Sequence, residues 1–326
     1  MTTPVETGSR PTGRAALVTG ASGFLGANLT RRLIADGWRV HVLLRSPSPW
    51  RLAGLAGRYT PHAADLCDAV AVRSAVAAAA PDVVFHAAAL GALPDHKDSA
   101  AIIEANALGT ARLLEAVADS PETVVVHTGS SSEVGHSDEP ITEQSPLRPR
   151  SAYAVSKAAA SLMCQAEFLR GRPVCTVRVF SAYGPWDDRG RLLTYLLGCV
   201  ARGEGPKVTS GSAPRDWVFV GDVIDLMLRV AADPRKAGPL VQAAGGRPQS
   251  VRDMVEAVLA VAAGGRLTAE YGTAPPRPDE PRHWSADVTE TRARTGWAPR
   301  HSLAAGVEAT WEWFRTQHSL EEVVRV

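Results

Sequence analysis

Hydrophobic positions along the 326-residue chain follow two rhythms. Short, nearly continuous apolar runs at residues 15–19, 40–44, 83–86, 124–127 and 174–180 are rich in valine and predict strands. The longer stretches between them carry Ala, Leu and Arg at helical spacing. Strands that are apolar at every position are buried on both faces, and strands separated by helices pair in parallel. The alternation therefore predicts an α/β protein with a doubly wound parallel sheet covered by helices on both sides. Beyond about residue 181 the rhythm gives way to segments punctuated by Pro and Gly, including 203–212 and 274–281, with helices predicted over 251–262 and 303–314. The expected division is a loose tail over 1–13, a sheet domain over 14–180 to which about 215–245 return, and a smaller C-terminal α/β lobe built from 181–214 and 246–326. No internal repeat is evident.

Composition narrows the classes of function. Hydrophobic residues make up 45% of the chain and charged residues 21%, as in an ordinary cored domain. With 35 basic and 34 acidic residues the formal charge is +1, too small a field to carry binding to nucleic acid or to an anionic membrane. The apolar stretches, such as 75–80, end far short of the roughly 20 residues that a membrane helix needs. The N-terminus is polar, with Pro4, Gly8, Pro11 and Gly13 and no apolar core, so a cytoplasmic protein is expected. Cys67, Cys164, Cys175 and Cys199 show no paired spacing and lie among apolar neighbours. They are expected to be free thiols, and no metal site is expected.

Two stretches carry chemistry. The first strand runs directly into Gly20-Ala-Ser22-Gly23-Phe24-Leu25-Gly26 and then into an amphipathic stretch over 27–35. Glycines between a buried strand and a helix allow a tight turn and close backbone approach to a pyrophosphate, which the free N–H groups and positive end of the helix attract. The second stretch is Ser151-Ala-Tyr153-Ala-Val-Ser-Lys157, where Tyr153 and Lys157 share one helix face. An ammonium near a phenol stabilises the phenolate, so Tyr153 is expected to have a lowered pKa and to exchange a proton near neutral pH. A serine cluster lies ahead of it in Val125-Val-His-Thr-Gly-Ser130-Ser131-Ser132-Glu133-Val-Gly135.

The spacing GxxGxxG, followed by Tyr-x-x-x-Lys, resembles the extended branch of the short-chain dehydrogenase/reductase superfamily over about residues 15–315. The resemblance implies a Rossmann-type sheet and a catalytic set of Ser130, Tyr153 and Lys157. Alignment on Gly135 puts Ser130 at the catalytic hydroxyl, whereas alignment on Glu133 and Val134 puts Ser131 there. It implies cofactor contacts from Gly20, Ser22, Gly23, Phe24, Leu25, Gly26, Asp65, Leu66, Ala87, Ala88, Ala89 and Asn106, with Gly109 completing an Asn-x-x-Gly, and from Tyr153 and Lys157. Relatives that use NAD place an acid where this chain has Leu44, and the next residue is Arg45. A cation there suits the 2′-phosphate, so NADP(H) is the expected cofactor.

The resemblance extends to the substrate. Arg178-Val-Phe-Ser181-Ala-Tyr-Gly-Pro185 is similar to the family's R-x-F-N-x-Y-G-P with Ser181 replacing Asn, and Arg215-Asp-Trp-Val-Phe-Val-Gly-Asp222 to its R-D-F-V-Y-V-x-D. Ser131, Ser132 and Ser181 imply contacts to a nucleotide-diphosphate sugar, and Arg215 with Arg277 a clamp on its diphosphate. Dehydratases of the family carry an acid directly after the catalytic hydroxyl. The Ser130 register offers Ser131 and Ser132 there, while the Ser131 register would bring Glu133 into place. Gly-Ser-Ser-x-Glu is similar to the NADPH-using reductases of nucleotide-linked 4-keto-6-deoxyhexoses. The expected activity is therefore a C4 keto reduction, with a 4-epimerase and a non-catalytic NADP-sensing module as alternatives. The family also implies a homodimer, through helices near 100–117 and 153–169 forming a four-helix bundle.

Overall fold

The computed structural model describes residues 13–45, 50–92, 98–273 and 283–316. The N-terminal residues 1–12, the segment 274–281 and Arg277 lie outside the described residues. Six strands follow in chain order: β1 (Ala15–Thr19), β2 (Arg39–Leu44), β3 (Thr60–Ala63), β4 (Val83–His86), β5 (Val124–Ser130) and β6 (Val174–Val179). With the later strand Leu240–Ala243 they form a seven-stranded sheet in the order Leu240–Ala243, β6, β5, β4, β1, β2, β3. Every pairing in it is parallel. The chain winds outward from β1 to β3, then crosses back to start at β4, so the winding reverses between β1 and β4. In such sheets the crevice beyond the carboxyl ends of the strands at that switch is where ligands bind.

Side chains alternate between the two faces. Ala16 and Val18 of β1, Val83 and Phe85 of β4, and Val124 and Val126 of β5 enter the core that includes α1 (Phe24–Ala35) and the helix Val220–Ala232. Leu17, Val84 and Val125 enter the opposite core, with α2 (Ala69–Ala79). α3 (Ser99–Ile103) and a π-helical turn Glu104–Leu108 follow, and then α4 (Gly109–Ala116) and α5 (Ala152–Leu169), which pack into that core through Leu113, Leu114 and Cys164. A third core, including Tyr183, Leu196, Met254, Val258, Val307 and Phe314, fills the C-terminal lobe among the helices Leu192–Arg202, Val251–Ala263 and Leu303–Thr316.

Two strands escape the hydrophobic pattern. β3 is an edge strand of sequence TPHA, mostly exposed, and Pro61 is tolerated because an edge strand pairs on one side only. Leu240–Ala243 is four residues long and follows Gly238 and Pro239, where breakers dominate the local signal. β5 runs three residues beyond the predicted end, which makes Ser130 its last residue. No helix among the described residues is long and apolar enough to cross a membrane. Cys164, Cys175 and Cys199 are buried, Cys67 is half-buried, and all four are free.

Candidate active site

The turn after β1 has no room for a side chain. Gly20 has φ +69°, and a Cβ on it would meet Ala88 N at 2.5 Å. A Cβ on Gly26 would fall on the Gly20 carbonyl oxygen. Gly23 N donates to Gly20 O at 2.9 Å and then heads α1 without a side-chain cap, which leaves N–H donors of the first helical turn free. Ser22 is exposed, whereas Phe24 and Leu25 pack partly against the core and fix the helix entry. From the other side of the switch, Ala87 N and Ala88 N donate to Thr19 O (3.2 Å) and Thr19 Oγ1 (3.3 Å). A cradle of bare backbone at a helix N-terminus, kept open by glycine on one wall and Ala87, Ala88 and Ala89 on the other, fits a dinucleotide pyrophosphate.

Leu44, Arg45, Ala63, Ala64, Asp65, Asp68 and Ala71 line a cleft of about 310 Å³ at the ends of β2 and β3. Asp65 Oδ1 accepts from Cys67 N at 2.9 Å, and that bond, helped by the charges of Arg45 and Arg112, holds its carboxyl below the usual range. Two residues at expected cofactor contacts also hold the protein together. Leu66 is buried against Gly109, where a Cβ would lie 2.9 Å from its own. Asn106 is buried in the π-helical turn, where Oδ1 accepts from Leu90 N (2.7 Å) and Nδ2 donates to Leu90 O and Ser156 Oγ (both 2.8 Å). Asn106 thus ties the turn after β4 to α5.

At the end of β5, Ser130 Oγ lies 2.8 Å from Ser132 Oγ, and the Ser130 hydroxyl favours the phenolate of the nearby Tyr153. Ser131 is buried, whereas Ser130 is half-buried. Ser151 caps α5 by accepting from Ala154 N at 3.1 Å, which holds Tyr153 in the first turn. The electrostatics differ from the sequence expectation. Burial pushes the Tyr153 phenol above its usual pKa of 10, outweighing the Ser130 hydroxyl. Lys157 Nζ bonds to His127 Nε2 at 3.1 Å, and burial pulls the ammonium down to about 8. A phenol kept protonated near neutral pH is suited to donating a proton.

His127 and His86 are the residues that sequence reasoning missed. They sit side by side in the paired strands β5 and β4, with ring centroids 5.5 Å apart. Burial and the nearby Lys157 charge keep both neutral: His86 falls to about 3, and His127 lies well below its usual 6.5. The available signal was a histidine inside otherwise apolar strands at matching positions.

Glu133 closes the floor beneath Ser130. Its Oε1 accepts from Ser130 N (2.7 Å) and Ser161 Oγ (2.9 Å), and its Oε2 faces Arg178 Nε at 3.3 Å. On the lobe side, Ser181 is half-buried in the short strand Ser181–Tyr183, and its N donates to Asp216 O at 3.0 Å. Asp216 in turn gathers Gly245 N (2.6 Å), Gly246 N (3.1 Å) and Ala286 N (2.9 Å). Arg215, beside it, is half-buried and Nη1 donates to Pro214 O at 2.7 Å.

Known proteins share this organisation. Residues 16–242 match the model of the NAD dependent epimerase/dehydratase family. The chain is similar to UDP-glucose 4-epimerase of Mycolicibacterium smegmatis, 32% identical over 92% of this chain and 98% of that protein. It is also similar to dTDP-glucose 4,6-dehydratase of Xanthomonas campestris pv. campestris, 28% identical over 93% of each. Among solved structures, the UDP-glucose 4-epimerase of Thermus thermophilus in complex with NAD superimposes with a TM-score of 0.81 at 25% identity, over 93% of this chain and 99% of that one. The chain therefore belongs to the NAD-dependent epimerase/dehydratase family, within the extended short-chain dehydrogenases/reductases.

Proposed function

We propose that the protein reduces the C4 keto group of a nucleotide-diphospho-4-keto-6-deoxyhexose with NADPH. The observation that carries this reading is the state of Glu133, the nearest acid to Ser130 in sequence. Its carboxylate is 0% exposed and committed to Arg178, Ser161 and the Ser130 backbone, which leaves it no face toward a substrate. Loss of water across C5 and C6 needs an acid and a base beside the sugar. Reduction of a ketone needs one proton donor, and burial holds the Tyr153 phenol protonated near neutral pH. Bound nicotinamide would supply the hydride. Tyr153 gives its proton to the developing alkoxide, Ser130 orients the oxygen, and Lys157 holds the nicotinamide ribose and stabilises the phenolate left behind.

NADPH rather than NADH is favoured by Leu44, which removes an acid from the ribose site, and by the exposed cation Arg45 beside it. Ser131, Ser132, Ser181, Arg215 and Arg277 are proposed to contact the nucleotide sugar, with 181–214 and 246–326 as its binding lobe. A second reading, a 4-epimerase with retained cofactor, is favoured by the 32% identity to a UDP-glucose 4-epimerase over nearly the whole chain. The deciding experiment supplies NADPH and a panel of 4-keto nucleotide sugars and follows absorbance at the nicotinamide wavelength. Stoichiometric NADPH oxidation supports the reductase. Inversion of a nucleotide hexose with no net consumption would replace it with the epimerase, and neither reaction would exclude both.

A further inference from the structure

We propose that His127 is a positioning residue that holds Lys157 in its working place through the bond between its Nε2 and Lys157 Nζ. The inference rests on Lys157 belonging to the active site proposed above. Its ground is geometric. Lys157 is 2% exposed and His127 0%, their nitrogens are 3.1 Å apart, and His127 Nε2 is the acceptor that the ammonium reaches among the described residues. A lysine side chain has four rotatable bonds, and a buried ammonium without a partner carries the full cost of desolvation.

The bond also has an assigned direction. A lysine ammonium can only donate, so His127 Nε2 offers its lone pair, Nδ1 carries the ring hydrogen, and Thr176 Oγ1, 3.2 Å from Nδ1, accepts it. His86, the neighbouring ring, is locked likewise. Thr110 donates its proton to Asn106 O at 2.5 Å and so accepts from His86 Nε2 at 2.9 Å, while Thr19 donates to His86 Nδ1 at 2.6 Å. The ammonium is thus bonded to one neutral ring that has a second beside it, both fixed by threonines drawn from β1, β6 and α4.

The charged and titratable groups facing Lys157 are His127 from β5, His86 from β4, Glu133 from the turn after β5, and Cys164 from α5. Glu133 favours the charged lysine but is drawn toward Arg178. The chain contains four lysines (Lys97, Lys157, Lys207 and Lys236), so a protein labelled with 13C-lysine gives four resolvable Cε signals, and Lys157→Met identifies the one of interest. In dinucleotide-free protein, His127→Phe removes the acceptor and should lower the Lys157 midpoint by about one to two pH units, the equivalent of one charge-assisted hydrogen bond. His127→Gln, whose carbonyl falls near the Nε2 position, should restore it to within about half a unit. Thr176→Val frees the tautomer and should move it in the same direction as His127→Phe, which keeps the test decisive if the Phe variant does not fold. In turnover, the basic limb of the kcat profile should follow the same order.

A Lys157 midpoint within about 0.3 unit of wild type in both folded variants would overturn the proposal. Because the titration needs neither cofactor nor substrate, that outcome is separate from failure of the reductase reading, which would show as no turnover with an unaltered Lys157 response.

Discussion

Glu133 and Arg178 form an ion pair at 3.3 Å whose side chains are 0% and 3% exposed, directly beneath the catalytic-site strand end. The same carboxylate accepts from Ser130 N, and the Ser130 side chain accepts from Ser132 N, so the pair braces the backbone that presents Ser130. Burial pushes the Glu133 carboxyl up, while Arg178 and the donated hydrogen bonds pull it down; three donors converging on it suit the carboxylate form. Arg178→Met strands that charge, and urea unfolding should show a loss of about 3–5 kcal/mol, the range for breaking a buried pair. Glu133→Leu combined with Arg178→Met should recover most of it. Additive losses in the double variant would mean the two side chains act independently.

Removing the Tyr153 hydroxyl tests the proton donor. Tyr153→Phe keeps the ring but deletes the acid, so kcat should fall by about 10² to 10⁴-fold with little change in dinucleotide affinity measured by fluorescence titration. Lys157→Met should lower kcat and also weaken the dinucleotide. A Tyr153→Phe enzyme within about threefold of wild type would mean that another group supplies the proton.

The cofactor preference turns on one exposed side chain. If Arg45 pairs with a 2′-phosphate, Arg45→Ala should weaken NADPH by about 1.5–3 kcal/mol and leave NADH nearly unchanged. Calorimetric titration of both nucleotides reads the difference directly, and equal losses would assign Arg45 to surface charge alone.

His86 and His127 make stability acid-sensitive. Both have folded pKa values far below 6.5, with His86 at about 3, so the unfolded chain takes up protons that the native state refuses. Their contribution is present above pH 6.5 and is lost as pH falls from there toward 3, with a slope of about 1.4 kcal/mol per pH unit for each. Denaturant unfolding at stepped pH should show this loss beginning near 6.5, and replacing one of them with Gln should flatten the slope by about half. An unchanged slope would place the acid sensitivity elsewhere.

Val155, Leu162 and Leu169 are 44%, 52% and 75% exposed and recur every seven residues along α5, with Leu108 exposed on the neighbouring helical run. Such an apolar stripe is suited to its own copy across a two-fold axis. Light scattering at micromolar concentration should give twice the chain mass of 34.5 kDa, and Leu162→Glu with Leu169→Glu should halve it. A wild-type protein at the single-chain mass would refute the dimer.

What can be read from the sequence alone is whatever depends on neighbours a few residues away. The buried strand β1, the glycine turn and the start of α1 are continuous in the chain, so their hydrophobic rhythm and spacing carry the doubly wound sheet and its phosphate cradle. Tyr153 and Lys157 share a helix face because four residues make about one turn. The tertiary structure decided everything that depends on distant partners. Only the pairing of β4 with β5 brings His86 beside His127, and only packing of α5 on that sheet brings Lys157 to His127, 30 residues away. The sign of the Tyr153 shift followed from how deeply the assembled fold encloses the phenol. The different exposure of Ser130 and Ser131 followed from the turn that ends β5, which buries one and leaves the other half-buried. Glu133 looked in sequence like a reagent near the catalytic serine. Its role as a brace became visible only once β6 delivered Arg178, because the fate of a buried charge depends on what the fold places against it.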